Sequence, residues 1–100
     1  MVRLAKLVID PAHLESYKAA LKEEIEASLQ LEPGVHNLFP MSEIGAPTHI
    51  TILEIYADNE AYQAHLKAPH FIKYKADTQA MVQSLELVET VPLIDGMRLK

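Results

Sequence analysis

The segments that read as β-strands carry apolar side chains on both faces, and this feature constrains the fold more than any other. Within Thr48–Tyr56, Ile50 and Ile52 point to one side of the strand, because successive side chains alternate. Leu53 and Ile55 point to the other side. Helices that cover one face of such a sheet leave the other face, roughly 19 by 16 Å for four short strands, uncovered. Monomers seldom expose an apolar patch of that size, and we therefore expect a homodimer whose sheets pack face to face.

The order of the predicted elements indicates the fold class. Asp10 before Pro11 is typical of a helix start, and Pro33-Gly34 of a helix stop. The order β-α-β-β-α(α)-β predicts an α+β fold, a split β-α-β arrangement with helices on one face of a four-stranded antiparallel sheet. Residues 1–92 would form this domain, and residues 93–100 a C-terminal tail. Strands are predicted at Val2–Ile9, Val35–Glu43, Thr48–Tyr56 and Leu85–Val91, a turn at Gly45–Pro47, and helices at Pro11–Leu31, at Asn59–Leu66 and from Pro69 along an apolar stripe to Leu85.

Length and composition exclude several classes of protein. A chain of 100 residues builds one core, and 49% apolar residues are more than a lone small domain readily buries. The absence of cysteine excludes disulfides, thiolate metal sites and a cysteine nucleophile, and three glycines form no phosphate-binding loop. A net charge of −5 with scattered lysines disfavours nucleic acid and anionic membranes. No apolar run approaches a signal peptide or a membrane span, so a cytoplasmic protein is expected.

Two polar residues on the most apolar strand are candidates for proton transfer. Glu54 and Tyr56 are two residues apart and share a face with Ile52. A carboxylate among apolar side chains has a raised pKa and can accept a proton near neutral pH. The alternative is a glutamate at the strand end that pairs with a backbone donor or with a lysine such as Lys6.

Two histidines follow on the predicted helices. His65 comes three residues after Tyr62, and this helical spacing points its side chain toward the sheet. Histidine in general has a pKa of about 6.5, which suits a general base. The alternative is a hydrogen-bonded structural histidine. His70 lies in the first turn of the next helix, where the helix dipole disfavours its charged form. It would bind a substrate oxygen or, alternatively, cap the helix or lie exposed to solvent.

The histidine spacing does not predict a metal site. Two histidine ligands on one helix are three or four residues apart. His65 and His70 are five apart and are separated by Pro69, whereas His36 and His49 lie on different strands.

Three further side chains are candidates for contact with a ligand. Phe71 and Tyr74 begin the apolar stripe of the last helix, which is either core or a surface for a flat ring. Asn37 is polar within a strand, and it either orients a ligand oxygen or points outward.

Three segments carry a recognisable pattern. EPGVHNLFPM (Glu32–Met41) is similar to an E-x-G-C motif at the start of a strand. ILEIY (Ile52–Tyr56) resembles a hydrophobic-E-x-W strand. EAYQAHLKAPHF (Glu60–Phe71) is similar to E-A-H-L-x-(S/T)-P-H-F, the most specific of the three because it combines a helix, a break and two histidines. With the element order over residues 2–92, these segments resemble the antibiotic biosynthesis monooxygenase (ABM) domain family, in particular its quinol monooxygenase-like branch.

The resemblance implies a ferredoxin-like monomer, a dimeric α+β barrel and a cleft between sheet and helices. It implies a monooxygenase that oxidises a small quinol-like or polyphenolic substrate with dioxygen, without flavin, metal or haem. The catalytic residues would be His65, Glu54 and Tyr56. The substrate-binding residues would be Asn37, Leu38, His70, Phe71 and Tyr74.

Departures from the family pattern leave other functions open. Tyr56 stands where the family has tryptophan, and Leu38 where it has an aromatic residue. The asparagine and tryptophan of the haem-degrading relatives are missing, which disfavours haem degradation. A relative that isomerises a phosphorylated linear diketone has a strand end similar to Glu54-Ile55-Tyr56. An isomerase or tautomerase of an enolisable diketone, or a non-catalytic ligand-binding stress module, is therefore the alternative.

Overall fold

A four-stranded antiparallel sheet forms one layer of the fold, and three helices cover one of its faces. The computed structural model describes residues 1–97. The last three residues of the predicted tail therefore lie outside the described part of the chain. The predicted α+β, ferredoxin-like arrangement is confirmed. The strands are β1 (Val2–Ile9), β2 (Val35–Glu43), β3 (Ala46–Tyr56) and β4 (Val82–Thr90), in the spatial order β2-β3-β1-β4, and the helices are α1 (Leu14–Leu31), α2 (Asn59–Lys67) and α3 (Pro69–Thr78).

Side-chain caps and prolines set the helix starts. Asp10 Oδ1 accepts a hydrogen bond of 3.0 Å from the Ala12 amide and starts a short 3₁₀ turn that leads into α1. Asp58 Oδ1 accepts one of 2.8 Å from the Ala61 amide at the start of α2. Pro69 begins α3, because proline is tolerated in the first turn of a helix but not in its interior.

The predicted boundary between the last helix and the last strand is wrong. Helix α3 ends at Thr78, whose hydroxyl donates to the Tyr74 carbonyl, and a 3₁₀ turn follows. Strand β4 begins at Val82 rather than at Leu85, because it pairs with β1 from that residue onward. Met81 and Leu85 are therefore not on the helix, although their spacing continues its stripe.

The hairpin turn between β2 and β3 also differs from the prediction. It lies at Ile44 and Gly45, and Ala46 and Pro47 already belong to β3. Gly45 has φ +103°, a conformation that favours glycine, and this locates the reversal of the chain one residue earlier.

A bulge in β2 decides which of its side chains face the helices. Val35 pairs with Tyr56 and Asn37 with Ile55, so one extra residue lies between the two pairs. The bulge moves Asn37 to the outer face of the sheet. Leu38 then lies opposite Glu54 on the inner face.

The core lies between the inner face of the sheet and helices α1 and α3. Helix α1 buries four residues at helical spacing, namely Tyr17, Leu21, Glu24 and Ser28. Two of the four are polar, whereas the apolar Leu29 next to Ser28 is 47% exposed. The Tyr17 and Tyr74 hydroxyls share a buried hydrogen bond of 2.6 Å that joins α1 to α3.

The turn between α1 and β2 passes very close to α2. A β-carbon added to Gly34 would lie 2.5 Å from the Ala61 β-carbon, well inside the usual carbon–carbon contact of about 3.5–4.0 Å. The Gly34 carbonyl also accepts a hydrogen bond of 2.8 Å from the Ala57 amide. Glycine is needed here to permit this close approach.

No element within residues 1–97 covers the outer face of the sheet. Phe39 on this face is 55% exposed. Lys6 also lies on it, opposite Glu86, and so does not reach Glu54 on the inner face. The apolar residues of this outer face are Val2, Leu4, Val8, Phe39, Met41, Leu53, Ile55 and Val88.

Among the three described helices, none combines the length and apolar character that crossing a membrane requires.

Candidate functional site

A cavity of about 590 Å³ separates the helices from the inner face of the sheet. Its floor is formed by residues of β1 and β3, and its roof by α1, α2 and α3. Strand β4 forms the open side, where Leu85 and Leu87 are about half exposed. The polar and aromatic residues that line it include Arg3, Glu24, Glu54, Tyr56, Tyr62, His65, Phe71 and Tyr74.

Glu54 and Tyr56 lie side by side on the cavity floor, as their spacing predicts. The Tyr56 hydroxyl donates a hydrogen bond of 3.1 Å to Glu54 Oε1. Burial raises the pKa of Glu54 above its ordinary value, because it opposes the charged form more than the tyrosine bond stabilises it. Burial, with the neighbouring Glu54 carboxylate, also raises the pKa of Tyr56. The pair is thus a carboxylate that holds a proton more readily than an exposed glutamate and a tyrosine that stays protonated.

Arg3 places one positive charge beside this carboxylate. It lies directly opposite Glu54 across the β1–β3 ladder and opposite Glu89 across the β1–β4 ladder. Its guanidinium donates to Glu89 at 2.5 Å and lies 4.1 Å above the centre of the Tyr62 ring. Its Nε is buried and has no hydrogen-bond partner among the described residues. The cavity therefore has an unused donor near Glu54.

His65 lies in the cavity wall, and both of its ring nitrogens are occupied. Nδ1 is 2.9 Å from Glu32 Oε2, and Nε2 is 3.3 Å from Glu24 Oε1. The side chain is 3% exposed, and its ring packs against Tyr56 and Phe71. His65 is thus fixed between two carboxylates, which matches the structural alternative considered for it.

Glu24 connects His65 to the cavity. It accepts a hydrogen bond of 2.7 Å from the Ser28 hydroxyl and lines the cavity on the side of α1. Burial raises its pKa, although the bond from Ser28 and the charge of His65 oppose the increase. A second carboxylate that favours its protonated form therefore faces the same space as Glu54.

Glu32 joins the two histidines at the edge of the helical layer. His70 Nε2 is 2.6 Å from the same Oε2 atom that His65 contacts. Burial alone would raise the pKa of Glu32, but the hydrogen bonds with His65 and His70 outweigh it and hold the pKa below its ordinary value. One ligand atom from each of Glu32, His65 and His70 lies within 4.8 Å of the others, so these three residues could hold a metal ion.

The structure places most of the predicted site residues around one cavity. Of the predicted catalytic residues, His65, Glu54 and Tyr56 all line it, as do the predicted binding residues Leu38, Phe71 and Tyr74. Asn37 and His70 do not line it. The β2 bulge moves Asn37 to the other face of the sheet, and His70 is held by Glu32.

Sequence reasoning missed Glu24 and Glu32. Glu24 stands among the charged residues of α1, a pattern typical of a solvated helix face, and Glu32 follows the helix as its C-cap. The available signal for Glu24 was its helical spacing from Tyr17, Leu21 and Ser28, which places it on the buried side of α1. A search for apolar residues alone does not include a glutamate.

Fold and site together define a small α+β protein that encloses an acid-lined cavity between helices and sheet. Within that class, the model of the family described as antibiotic biosynthesis monooxygenase matches residues 1–77. The chain therefore belongs to the ABM family, as its three motifs predict.

Solved structures agree with this assignment. A provisionally named antibiotic biosynthesis monooxygenase from Bacteriodes thetaiotaomicron VPI-5482 is 56% identical, with a TM-score of 0.95 over 100% of this chain and 95% of that one. A provisionally named monooxygenase from Lactobacillus acidophilus NCFM is 33% identical, with a TM-score of 0.86 over 87% of this chain and 41% of that one. A family protein from Nitrosomonas europaea, 19% identical over 93% and 98% of the two chains, shares the fold with a TM-score of 0.86. A comparison with curated proteins gives no match.

Proposed function

We propose that this ABM-family protein is a monooxygenase that oxidises a small quinol-like or polyphenolic substrate with dioxygen and without a flavin, haem or metal cofactor. The observation that carries the proposal is the carboxylate of Glu54, buried in a cavity, bonded to Tyr56 and facing the charge of Arg3. A cavity of about 590 Å³ is within the range that binds small ligands, and its aromatic wall suits a flat ring.

Glu54 is the proposed general base. Its raised pKa makes it a stronger proton acceptor than an exposed glutamate, and it takes the hydroxyl proton of the bound substrate. The resulting phenolate is stabilised by the Arg3 guanidinium, whose Nε is free to donate. Tyr56 holds the Glu54 carboxylate in place through its hydroxyl.

The oxidation then needs no external reductant. The electron-rich phenolate gives electrons to dioxygen, one oxygen atom becomes bonded to the ring, and the other leaves as water. A hydroquinone supplies all four electrons and emerges as a hydroxyquinone, so the atoms and electrons balance. The protein contributes binding, removal of bulk water and the proton acceptor.

His65 contributes by positioning. Because both ring nitrogens face carboxylates, it orients Glu24 and the wall of the cavity rather than taking a proton from the substrate directly. This assignment changes the role expected for His65 from the sequence.

Oxygen uptake with a panel of hydroquinones tests the proposal. The wild type should consume oxygen above the uncatalysed rate, and Glu54→Gln should lose about 10²–10⁴-fold of that activity. Glu15→Gln removes an exposed carboxylate from helix α1, away from both the cavity and the outer face of the sheet, and should leave the rate unchanged. Absence of uptake across the panel would contradict the oxidation. Deuterium exchange into a diketone without oxygen, lost in Glu54→Gln, would instead support the isomerase alternative.

We further propose that the protein acts as a homodimer that buries the outer face of its sheet. The apolar residues of that face, among them Leu53 and the half-exposed Phe39, support this proposal. Light scattering should give twice the mass of the 11.2 kDa chain at micromolar concentration, and Phe39→Glu should give a monomer. Ile44→Glu, a change in the fully exposed hairpin turn, is the control. A monomeric wild type would refute the proposal.

A further inference from the structure

We propose that Glu32, His65 and His70 form a binding site for a divalent transition-metal ion, with Zn²⁺ as the best match to the donor set. The site is separate from the proposed reaction and does not depend on it. It would join the C-terminal end of α1, the last turn of α2 and the first turn of α3.

Three donor atoms from three segments of the chain converge at this point. Glu32 caps the C-terminus of α1, His65 is in α2, and His70 is in the first turn of α3. His65 Nδ1 and His70 Nε2 lie 2.9 and 2.6 Å from Glu32 Oε2. The break at Pro69, which made the sequence spacing unlike a single-helix metal motif, is what turns the two rings toward one carboxylate.

Small displacements suffice to admit an ion. Zinc binds histidine nitrogen and carboxylate oxygen at about 2.0–2.2 Å, usually with four ligands in a tetrahedron. Ligand atoms of such a tetrahedron are about 3.3 Å apart. The His65 and His70 donors would therefore move away from Glu32 Oε2 by about 0.4 and about 0.7 Å, within the reach of side-chain rotation.

A second layer of polar contacts supports the arrangement. Histidine ligands of metals nearly always place the other ring nitrogen against a carboxylate or carbonyl, which fixes the tautomer and the ring. His65 does so through Glu24, 3.3 Å from its Nε2, and Glu24 is itself held by Ser28 at 2.7 Å. Glu24 is 5% exposed. A satisfied buried carboxylate behind a histidine is thus already in place.

The location of the cluster gives it a structural role. His70 and Glu32 are 14% and 16% exposed, so a fourth ligand such as water can reach the ion from the surface. Neither of these two residues lines the cavity, and of the cluster only His65 does. The ion would hold the helices in place without touching the substrate.

The donor chemistry selects the ion. Two imidazoles with one carboxylate suit Zn²⁺, Ni²⁺ or Cu²⁺, whereas Mg²⁺ and Ca²⁺ prefer oxygen ligands alone. Affinity for zinc sulfate should therefore be measurable, while magnesium chloride should produce no binding at this site.

Calorimetric titration of the full chain, stripped of metal with a chelator, tests the proposal. Zinc should bind with one high-affinity ion per chain and raise Tm as its concentration rises. His70→Gln should weaken binding at least 10-fold, and Glu24→Gln about 10-fold through loss of the support behind His65. The control His49→Gln removes a half-exposed histidine that pairs with Glu43, and it should not alter the affinity.

A spectroscopic readout keeps the test independent of variant folding. Cobalt(II) bound to the wild type should give the intense visible absorption of a four-coordinate site, and X-ray absorption of the zinc form should show two imidazole ligands. Lack of stoichiometric zinc binding, or equal affinity in His70→Gln, would overturn the proposal. The cluster would then be a His–Glu–His hydrogen-bond network only.

Discussion

The close approach of Gly34 to α2 predicts that Gly34→Ala lowers the free energy of unfolding, and that a second substitution, Ala61→Gly, abolishes or reverses this effect. Gly34→Ala places a β-carbon 2.5 Å from that of Ala61. Relief to an ordinary contact of about 3.5 Å needs a displacement of α2 of about 1 Å. Overpacking of this kind costs roughly 1–3 kcal/mol of unfolding free energy. In a domain of this size that lowers Tm by at least about 4 °C.

The double variant isolates the contact. Ala61→Gly alone should cost about 1 kcal/mol, because glycine is a poor residue for a helix interior. In that background Gly34→Ala meets no β-carbon, and the φ of Gly34 is not positive. The substitution should then be neutral or stabilise by about 0.4–1 kcal/mol, because alanine has fewer unfolded conformations than glycine. Thermal melts followed by circular dichroism give the stabilities of the wild type, the two single variants and the double variant, which complete the double-mutant cycle.

The same displacement should also disturb the histidine cluster. His65 lies four residues after Ala61 on α2, and its Nδ1 is 2.9 Å from Glu32. A hydrogen bond at this distance is lost after a movement of well under 1 Å, because its range ends near 3.2 Å. The His65 imidazole NMR signal should therefore shift in Gly34→Ala and return in the double variant. Equal destabilisation by Gly34→Ala in both backgrounds would refute the steric explanation.

Three further predictions concern the cavity. Glu54→Gln should raise Tm at pH 8, because burial opposes ionisation of the Glu54 carboxyl in the folded state but not in the unfolded state. The gain in unfolding free energy should grow by about 1.4 kcal/mol for each pH unit from 4.5 up to the raised pKa of Glu54, and then level off. A pH-independent difference in melts would contradict this. Tyr17→Phe should cost about 1 kcal/mol, because it removes the 2.6 Å bond to Tyr74; an unchanged denaturant midpoint would show that this bond contributes nothing. Arg3→Gln should lower kcat/KM for a hydroquinone roughly 10–100-fold, because the phenolate loses its charged partner; full activity would remove Arg3 from the proposed site.

The fold could be predicted from local signals because most of them are strong and agree with one another. Helix ends are marked by capping residues at Asp10 and Asp58 and by prolines at Pro33 and Pro69. Packing against the rest of the protein does not override these local signals. The end of α3 was missed because Leu85 continues the helical stripe by coincidence, and pairing with β1 decides the matter instead. Such pairing between distant segments is invisible in a window of neighbouring residues.

The site was predictable only where its residues share one strand. Glu54 and Tyr56 alternate on β3, so their common face follows from spacing alone. Asn37 was singled out as a polar residue within a strand, with its orientation left open, and the one-residue bulge in β2 places it on the outer face. Glu24 and Glu32 are polar side chains buried because His65 reaches them from a helix more than thirty residues away, and no local pattern contains that partner.

The use of one Glu32 oxygen by two histidines has a consequence for how this cluster can change during evolution. Replacing Glu32 alone leaves two buried imidazoles without their acceptor, and replacing either histidine leaves Glu32 with half of its partners. Each single step is therefore costly, whereas simultaneous loss of all three is much less so. Within the family these three positions should vary as a set, and sequences with only one or two of them should be rare.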